Sequence, residues 1–355
     1  MILTIFGYAK TGKTLLFNLL TEKKEKVDKF SAASTEFHKA VVDVPDPRLE
    51  KLAAFSGTPP VHARIEFLDA GAISLGEVKN STFLDLLRRA DGLVHLVRAF
   101  ADEEIVHPQG TVDPGRDIAA MEEELKATDY LTVEKRLERL AVDLKKMKSK
   151  ELQEESDLLH KLKAFLEAGK ALRLYPFSEG EAVQVRGFRF LSAKPLLHLV
   201  NADENTLRSH AGLAAPARDG RCTALFAGRI ERELLELAPE ERAVFQREYG
   251  LDGYRYIRDG FIQTSYSLMD LISFFTVGKD ETRAWTVEKG TNAFVAAGKI
   301  HSDIQKGFIR AEVISWSDFL ECGGFAHAKE KGRLRLEGKE YAVQDGEIVH
   351  FRFNT

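Results

Sequence analysis

The first twenty residues, MILTIFGYAKTGKTLLFNLL from Met1 to Leu20, contain the pattern that decides the fold of this chain. An apolar run typical of a β-strand leads into GYAKTGKT, residues Gly7–Thr14, and apolar residues at helical spacing follow. This is a complete P-loop pattern, in which glycines allow consecutive backbone N–H groups to surround a triphosphate at a helix N-terminus. The alternative is a glycine turn that only joins a strand to a helix.

The lysine and threonine of this motif carry the predicted chemistry. Lys13 is expected to reach the β- and γ-phosphates and so to act in catalysis, and the Thr14 hydroxyl is expected to bind Mg²⁺. The other predicted contacts of the phosphate loop are Gly7, Lys10, Thr11 and Gly12.

Composition limits the class of protein. The 355 residues include 51 lysines and arginines against 55 acidic residues, so no overall basic field indicates a nucleic-acid partner. The only cysteines, Cys222 and Cys322, are too far apart in sequence to indicate a metal site or a disulfide framework. No stretch approaches the roughly 20 apolar residues of a membrane span. The length predicts two or three domains, and we expect a cytoplasmic protein without a membrane partner.

Further strands are predicted after the P-loop. Ala63–Leu68 is predicted to form a strand that ends at Asp69, and Gly92–Val97 is apolar enough to be buried on both faces of a parallel sheet. An acidic residue that follows a parallel strand beside a P-loop is placed to hold Mg²⁺ through water, although Asp is also a common turn residue. His95 and His198 lie inside apolar runs and are predicted to be core histidines.

A helical insertion interrupts the strands. From Asp117 to about Ala171 the chain is rich in Glu, Lys, Leu and Arg, and apolar residues recur at intervals of four and three, as in a coiled-coil seam. An antiparallel helical hairpin that turns near Lys148–Lys150 is therefore expected. Strand patterns resume at Lys194–Val200 and at Thr223–Phe226, which predicts an α/β fold with a doubly wound, mostly parallel sheet. The predicted seam consists of Val133, Leu137, Leu140, Leu144 and Met147, and the second apolar face of Leu158, Leu159, Leu162, Phe165 and Leu166.

Longer motifs carry a family resemblance. They are Val41–Leu49 (VVDVPDPRL), Asp91–Phe100 (DGLVHLVRAF), Ile105–Ile118 (IVHPQGTVDPGRDI), Thr282–Val287 (TRAWTV) and Ala297–Ala311 (AGKIHSDIQKGFIRA). Nearly end to end, the chain resembles the Obg-like ATPases, the YchF-type branch of the translation-factor class of P-loop proteins. The resemblance implies a P-loop NTPase domain at 1–117 and 172–274, a coiled-coil hairpin at 118–171, and a C-terminal TGS domain of β-grasp fold at 275–355.

The same resemblance suggests how a base is recognised. Guanine-specific relatives use Asn-Lys-x-Asp, whereas this chain has NADE at Asn201–Glu204, without the lysine and with glutamate in the last place. Since the aspartate that accepts from guanine is missing, the resemblance favours ATP over GTP, with Mg²⁺ as the metal. The stretch AGRIE at Ala227–Glu231 resembles the loop that backs the base with main-chain atoms. The implied base contacts are Asn201, Glu204, Ala227 and Gly228.

Hydrolysis depends on motifs that depart from the family pattern. The resemblance assigns His107 as the group that places the attacking water once a loop closes over the γ-phosphate. The glycine-rich turn that usually follows the Mg²⁺-binding aspartate is shortened here to Asp69–Gly76, and the upstream switch reads STEFH, which leaves Ser34 or Thr35 as the predicted Mg²⁺ contact. These departures affect hydrolysis more than binding.

The expected function follows from these pieces. The C-terminal region is locally basic, with aromatic residues interleaved, and the resemblance implies a ribosome or RNA partner for it and for the hairpin. We expect a monomeric ATP- and ADP-binding switch that hydrolyses ATP slowly in translation or stress response. The alternatives are a nucleotide-gated ribosome- or RNA-binding module with little hydrolysis, and a GTP-binding protein. The interleaved residues are Lys299, His301, Lys306, Phe308, Arg310 and Trp316.

Overall fold

A computed structural model describes residues 1–21, 28–32, 35–73, 81–102, 104–147, 149–209, 215–218, 220–248 and 257–354. Contacts divide the chain into two compact units. The first comprises Met1–Val41 and Glu66–Thr264, and the second comprises Val42–Ile65 and Ser265–Thr355. This division differs from the predicted domain ranges, because a segment of the nucleotide-binding half of the sequence packs with the C-terminal residues.

The elements are numbered along the chain. The strands are β1 (Ile2–Tyr8), β2 (Asp28–Ala32), β3 (Thr35–Asp43), β4 (Pro60–Val61), β5 (Arg64–Ile73), β6 (Gly92–Arg98), β7 (Leu196–Asn201), β8 (Ala215–Arg218), β9 (Arg221–Phe226), β10 (Leu271–Val277), β11 (Thr282–Glu288), β12 (Phe308–Ser315), β13 (Arg335–Glu337) and β14 (Glu347–Phe353). The α-helices are α1 (Lys13–Thr21), α2 (Pro47–Ser56), α3 (Ser81–Arg89), α4 (Pro114–Lys146), α5 (Lys150–Glu167), α6 (Glu179–Val185), α7 (Glu204–Ser209), α8 (Gly228–Glu236), α9 (Pro239–Glu248), α10 (Ile257–Leu268), α11 (Ala293–Ile300), α12 (Ser302–Lys306), α13 (Trp316–Cys322) and α14 (Phe325–Glu330).

The sheet of the first unit confirms the predicted fold class. Its strand order is β2-β3-β5-β1-β6-β7-β9-β8, and five neighbours in this order, β5, β1, β6, β7 and β9, pair in parallel. The strands β6 and β7 are buried along their whole length and are mostly apolar, as expected of a parallel sheet that is covered on both faces. β1 lies in the middle of the sheet. Because the P-loop follows the carboxyl end of β1, it lies at the edge where open α/β sheets bind ligands.

One predicted strand end is wrong. β5 does not stop before Asp69 but continues to Ile73. The pairing with β1 shifts after Ile5, which lies opposite Asp69, so that Gly7 lies opposite Ala72 and β5 has one extra residue. Gly71 adopts a φ of 79°, and its N–H donates to Asp69 Oδ1 at 2.8 Å. Asp69 therefore lies at an irregularity inside a strand rather than at the strand's end.

The helical hairpin is present as predicted. α4 begins after Asp113, whose side chain caps Arg116 N–H, and α5 begins after the cap Ser149, close to the predicted turn. The seam is buried near the sheet but not at the tip, since Met147 is 61% exposed. The side chains that pack between the helices include Val133, Leu140, Leu158, Leu159, Leu162 and Leu166. The described helices include none long and apolar enough to cross a membrane.

The two core histidines form a buried chain with a glutamate of α4. The Nδ1 atoms of His95 and His198 lie 3.1 Å apart, and His198 Nε2 lies 3.1 Å from Glu122 Oε1. Glu122 also pairs with Arg173 and Arg221. Burial lowers the pKa of both histidines, and their mutual repulsion lowers that of His95 further. Both rings are therefore neutral in the folded protein at pH 7.

Acid is expected to destabilise the protein through these histidines. A buried histidine with a lowered pKa binds protons less readily than it does in the unfolded chain, where its pKa is about 6.5. The stability is therefore fully present above about pH 6.5 and decreases below it, by up to about 1.4 kcal/mol per pH unit for each histidine. Urea unfolding at pH 7.5 and 5.5 measures this slope. His95→Asn should reduce the slope and the exposed His160→Asn should not; equal slopes in all three proteins would contradict the assignment.

The second unit contains a mixed sheet covered by α11. β10 and β14 are parallel neighbours at the centre, β11 and β12 flank them in antiparallel pairing, and β4 and β13 complete the edges. This is the β-grasp arrangement that was predicted. Ala342 makes an isolated bridge with Asn292 beside this sheet. Phe308 is 7% exposed and belongs to the core, so it does not stack on bases.

Ion pairs link the segment Val42–Ile65 to the C-terminal residues of the second unit. Asp46 caps α2, and its carboxylate accepts from Arg48 Nη2 at 2.8 Å. Arg48 Nη1 also donates to Asp345 at 2.6 Å. Burial opposes the positive charge, but the two carboxylates outweigh it and raise the pKa of Arg48 above its ordinary value. The partly exposed pairing of Arg48 with Asp345 thus links the motif VPDPR to the C-terminal residues.

Candidate nucleotide site

Close contacts with neighbouring residues explain both glycines of the P-loop. Gly7 has a φ of 154°, and a Cβ there would lie 2.3 Å from the carbonyl oxygen of Leu96 on β6. Gly12 has a φ of 100°, and a Cβ there would lie 2.5 Å from Asn201 Nδ2. Lys10, at the exposed tip, adopts the left-handed region at 63°. The loop is thus shaped by positions that disfavour side chains, which leaves its backbone open to a ligand.

Lys13 lies across this loop. Its Nζ donates to the carbonyl oxygens of Gly7 at 3.1 Å and Tyr8 at 2.7 Å, and the residue is 9% exposed. Burial lowers the pKa of Lys13 to about 8, while nearby Asp69 acts in the opposite direction. A phosphate would replace these carbonyls as the partner of a largely desolvated ammonium, which makes the contact strong.

The predicted Mg²⁺ ligands are only partly described. Thr14 is exposed at the start of α1, and Asp69 is 7% exposed. Ser34 lies outside the described residues, and of Thr35 only the backbone, at the start of β3, is described. Among the described residues no cluster of three His, Cys, Asp or Glu could bind a metal. A hydroxyl, one carboxylate and phosphate oxygens are nevertheless the donor set that suits Mg²⁺, which keeps several waters.

Asn201 connects the P-loop to the predicted base loop. Its Nδ2 donates to Thr11 O at 3.0 Å, and its Oδ1 accepts from Gly228 N at 3.1 Å. Gly228 permits this approach, because a Cβ there would lie 3.2 Å from Asn201 Oδ1 and 2.8 Å from Leu15 of α1. Both ends of the Asn201 amide are therefore engaged with backbone, which gives the side chain a positioning role that the sequence alone did not indicate.

A cavity of about 600 Å³ lies beside this junction. Leu15 and Ile230 supply apolar walls, and Glu204 lies at the start of α7 on its rim. Ala227, next to Gly228, is buried at 1% exposure and caps α8. The volume is within the range of small-molecule sites and suits a planar base. The structure thus brings together the P-loop and the residues predicted for base recognition.

His107 is buried and engaged in this structure. It is 3% exposed, its Nδ1 accepts from Gln109 N–H at 3.1 Å, and its Nε2 lies 3.0 Å from Asp117 Oδ2. The ring of Tyr8, in the P-loop, meets it edge-on with centroids 6.4 Å apart. His107 is therefore next to the phosphate loop but not presented to it.

The loop that carries His107 is anchored by arginines that sequence reasoning missed. Arg98, 1% exposed, donates to the carbonyl oxygens of Phe100, Asp102 and Ile105. Arg116 donates to Thr111 O at 2.8 Å and to Asp117 Oδ1 at 2.8 Å. Both arginines lie within motifs quoted for the family resemblance, which was the one available signal.

Comparisons with known proteins agree with this geometry. Residues 2–136 match a family model described as "50S ribosome-binding GTPase". Residues 271–354 match the YchF-GTPase_C model, described as "Protein of unknown function (DUF933)".

Individual relatives match over nearly the whole chain. The ribosome-binding ATPase YchF of Bacillus subtilis is 39% identical over 99% of this chain and 98% of the relative, and Obg-like ATPase 1 of Oryza sativa is 33% identical over 99% and 91%. The solved structure of the Schizosaccharomyces pombe YchF GTPase has a TM-score of 0.80 at 28% identity, and covers 99% of this chain and 97% of its own. The chain belongs to the YchF family of Obg-like ATPases.

Proposed function

We propose that this protein binds Mg-ATP and hydrolyses it slowly, as a nucleotide-dependent switch that acts at the ribosome. The observation that carries the proposal is the desolvated Lys13 across a glycine-shaped loop, beside a base-sized cavity. The names of the bacterial relatives, ribosome-binding ATPases, support the same activity here. Thr14 and Asp69, with Ser34 or Thr35, are the proposed Mg²⁺ ligands.

The proposed preference for ATP rests on the base loop. In this chain Ala202 replaces the lysine of the guanine box, and Glu204 replaces its aspartate. A site built to accept guanine's N1 and N2 donors rejects other bases strongly, so its loss permits adenine. Isothermal titration with Mg-ATP and Mg-GTP tests the proposal: tighter binding of GTP would sustain the GTP-binding alternative instead.

Hydrolysis is tested separately from binding. Single-turnover hydrolysis by the wild type should be measurable, and His107→Ala should lower its rate by about a hundredfold, the usual contribution of a group that transfers or orients a proton. The buried position of His107 favours the alternative of a binding module with little turnover. Binding without any wild-type hydrolysis would establish that alternative.

A basic groove between α4 of the hairpin and α3 supports a nucleic-acid partner. Leu84, Leu131 and Phe188 give it apolar surface, and no acidic side chain lines it among the described residues, although the chain carries a net charge of −4. Cations beside an aromatic side chain are typical of RNA contacts, although Phe188 is half-buried here and stacks on Phe190. The groove has a volume of about 680 Å³, and its cations are Arg88, Lys135, Arg139 and Arg136, the last of which is paired with Glu155 on α5.

Charge reversal in this groove should weaken ribosome binding. Lys135 and Arg139 are exposed, and their replacement by glutamate removes two phosphate contacts and adds repulsion. We expect at least a tenfold lower affinity in co-sedimentation with ribosomes at about 100 mM salt. Lys150→Glu with Lys161→Glu changes the net charge equally on α5, outside the groove, and serves as the control. If both pairs weaken binding alike, the groove is not the docking surface.

The remaining expectations are proposals of the same kind. The predicted domain ranges, a monomeric state, a TGS-type role for the C-terminal unit and a cytoplasmic location fit a ribosome-associated switch. Lys299, His301, Lys306 and Arg310 are exposed and are proposed as a second contact with RNA.

A further inference from the structure

The contact between His107 and Asp117 has an unusual character. Both side chains are 1–2% exposed, and Nε2 and Oδ2 lie 3.0 Å apart. Neither atom has a well-directed hydrogen bond, and the hydroxyl of Tyr8 nearby is also buried without a partner among the described residues. Three polar atoms are thus desolvated beside the P-loop, an arrangement that costs stability and that packing alone does not require.

The hydrogen bond at Nδ1 fixes the tautomer of the His107 ring. Because His107 Nδ1 accepts from Gln109 N–H, it carries no proton, and in the neutral ring the proton is on Nε2, which faces Asp117. One nitrogen is engaged as an acceptor and the other carries the proton. In this position His107 has no free lone pair with which to orient or deprotonate water.

Asp117 lies where the hairpin meets the nucleotide site. It is in the first turn of α4, the long helix of the hairpin, and Arg116 joins it to Thr111 of the histidine loop. Any displacement of the base of α4 would move Asp117 relative to His107. The hairpin is also the element that carries the proposed ribosome-docking groove.

We propose that Asp117 is a positioning residue that holds His107 withdrawn from the phosphate loop, and that displacement of α4 by a partner on the hairpin releases it. This inference rests on the proposed function, since it assumes that His107 places water. It differs from a catalytic dyad, in which Asp117 would orient a histidine already presented to the nucleotide. The nitrogen left free in such a dyad, Nδ1, is here engaged with Gln109.

Asp117→Asn separates the two mechanisms while keeping the side-chain shape. Loss of the charge weakens the contact, so withdrawal predicts a single-turnover rate about tenfold higher with unchanged affinity for Mg-ATP. The double variant Asp117→Asn/His107→Ala should return to the rate of His107→Ala. Asp129→Asn, a buried aspartate farther along α4 that accepts from Leu191 and Ser192 N–H, is the matched control and should leave the rate unchanged.

A second readout does not require turnover. Carbethoxylation of His107 by diethyl pyrocarbonate, followed by mass spectrometry, should be about tenfold faster in Asp117→Asn than in the wild type, and unchanged in Asp129→Asn. If neither protein hydrolyses ATP but labelling accelerates, the proposed function fails while the positioning role stands. A lower rate in Asp117→Asn supports the dyad, and unchanged labelling in the folded variant overturns the proposal.

Discussion

Replacement of Lys13 by alanine is expected to lower the affinity for Mg-ATP by at least about a hundredfold and to abolish measurable hydrolysis. Lys13 is 9% exposed and its ammonium donates to two loop carbonyls, so a bound triphosphate would gain a charge-assisted contact in a desolvated site. Such contacts contribute about 1.5–3 kcal/mol each, and one lysine reaches two phosphates. Isothermal titration measures the affinity, and single-turnover assays measure the rate.

A control for this experiment is the removal of a lysine that lies outside the nucleotide site. Lys161→Ala removes a surface lysine of α5 that pairs with Glu181 at 3.7 Å, and it should bind Mg-ATP like the wild type. Thermal unfolding of Lys13→Ala should be nearly unchanged or slightly higher, because a buried cation is removed. Wild-type affinity in Lys13→Ala would show that the triphosphate does not bind at this loop.

Gly7→Ala is expected to have the largest effect on stability. The new Cβ would lie 2.3 Å from the carbonyl oxygen of Leu96, which is backbone of the adjacent strand β6 and does not move as a flexible side chain would. Relief of this contact requires separation of β1 from β6 at the centre of the sheet. We expect a loss of about 3 kcal/mol or more, measured as the free energy of unfolding in urea.

Gly57→Ala provides the matched comparison. Gly57 caps α2 at a φ of 66°, and nothing lies within 4 Å of a Cβ built there. The substitution therefore costs only the backbone strain of a left-handed residue, about 1–2 kcal/mol. Equal losses in the two variants would show that the approach of Leu96 contributes nothing beyond the conformation of Gly7.

Hydrolysis in this protein is predicted to need two separate events. Nucleotide must displace the loop carbonyls from Lys13, and His107 must leave Asp117. The first depends on the ligand itself, whereas the second depends on the base of the hairpin. A slow basal rate that increases when a partner engages the hairpin follows from this arrangement.

Local patterns predicted most of the fold. The P-loop has a fixed spacing that is visible within a few residues. The parallel strands and the heptads of the hairpin have hydrophobic patterns that are visible within twenty residues, because side-chain direction repeats with the backbone. The errors arose where a long-range contact overrides that local rule. β5 continues past Asp69 because β1 remains its partner.

The features of the site likewise divide into those visible in a local pattern and those that depend on long-range contacts. Lys13, Thr14 and the glycines were found from spacing, since one turn of chain supplies the whole phosphate loop. Spacing did not reveal three other features of the site. They are the role of Asn201 as a connector, the requirement for Gly228 beside Leu15, and the contact of Asp117 with His107.

By itself, the sequence determined that this chain forms a P-loop sheet with a helical hairpin, because each of those elements is encoded by residues that are close together along the chain. Only the tertiary structure decided that residues 42–65 pack with the C-terminal unit and that His107 is withdrawn against Asp117. Both depend on pairs of residues whose meeting is set by the packing of the folded elements. Burial and hydrogen bonding, which fix such pairs, are properties of the assembled fold and leave no periodic signal in the chain.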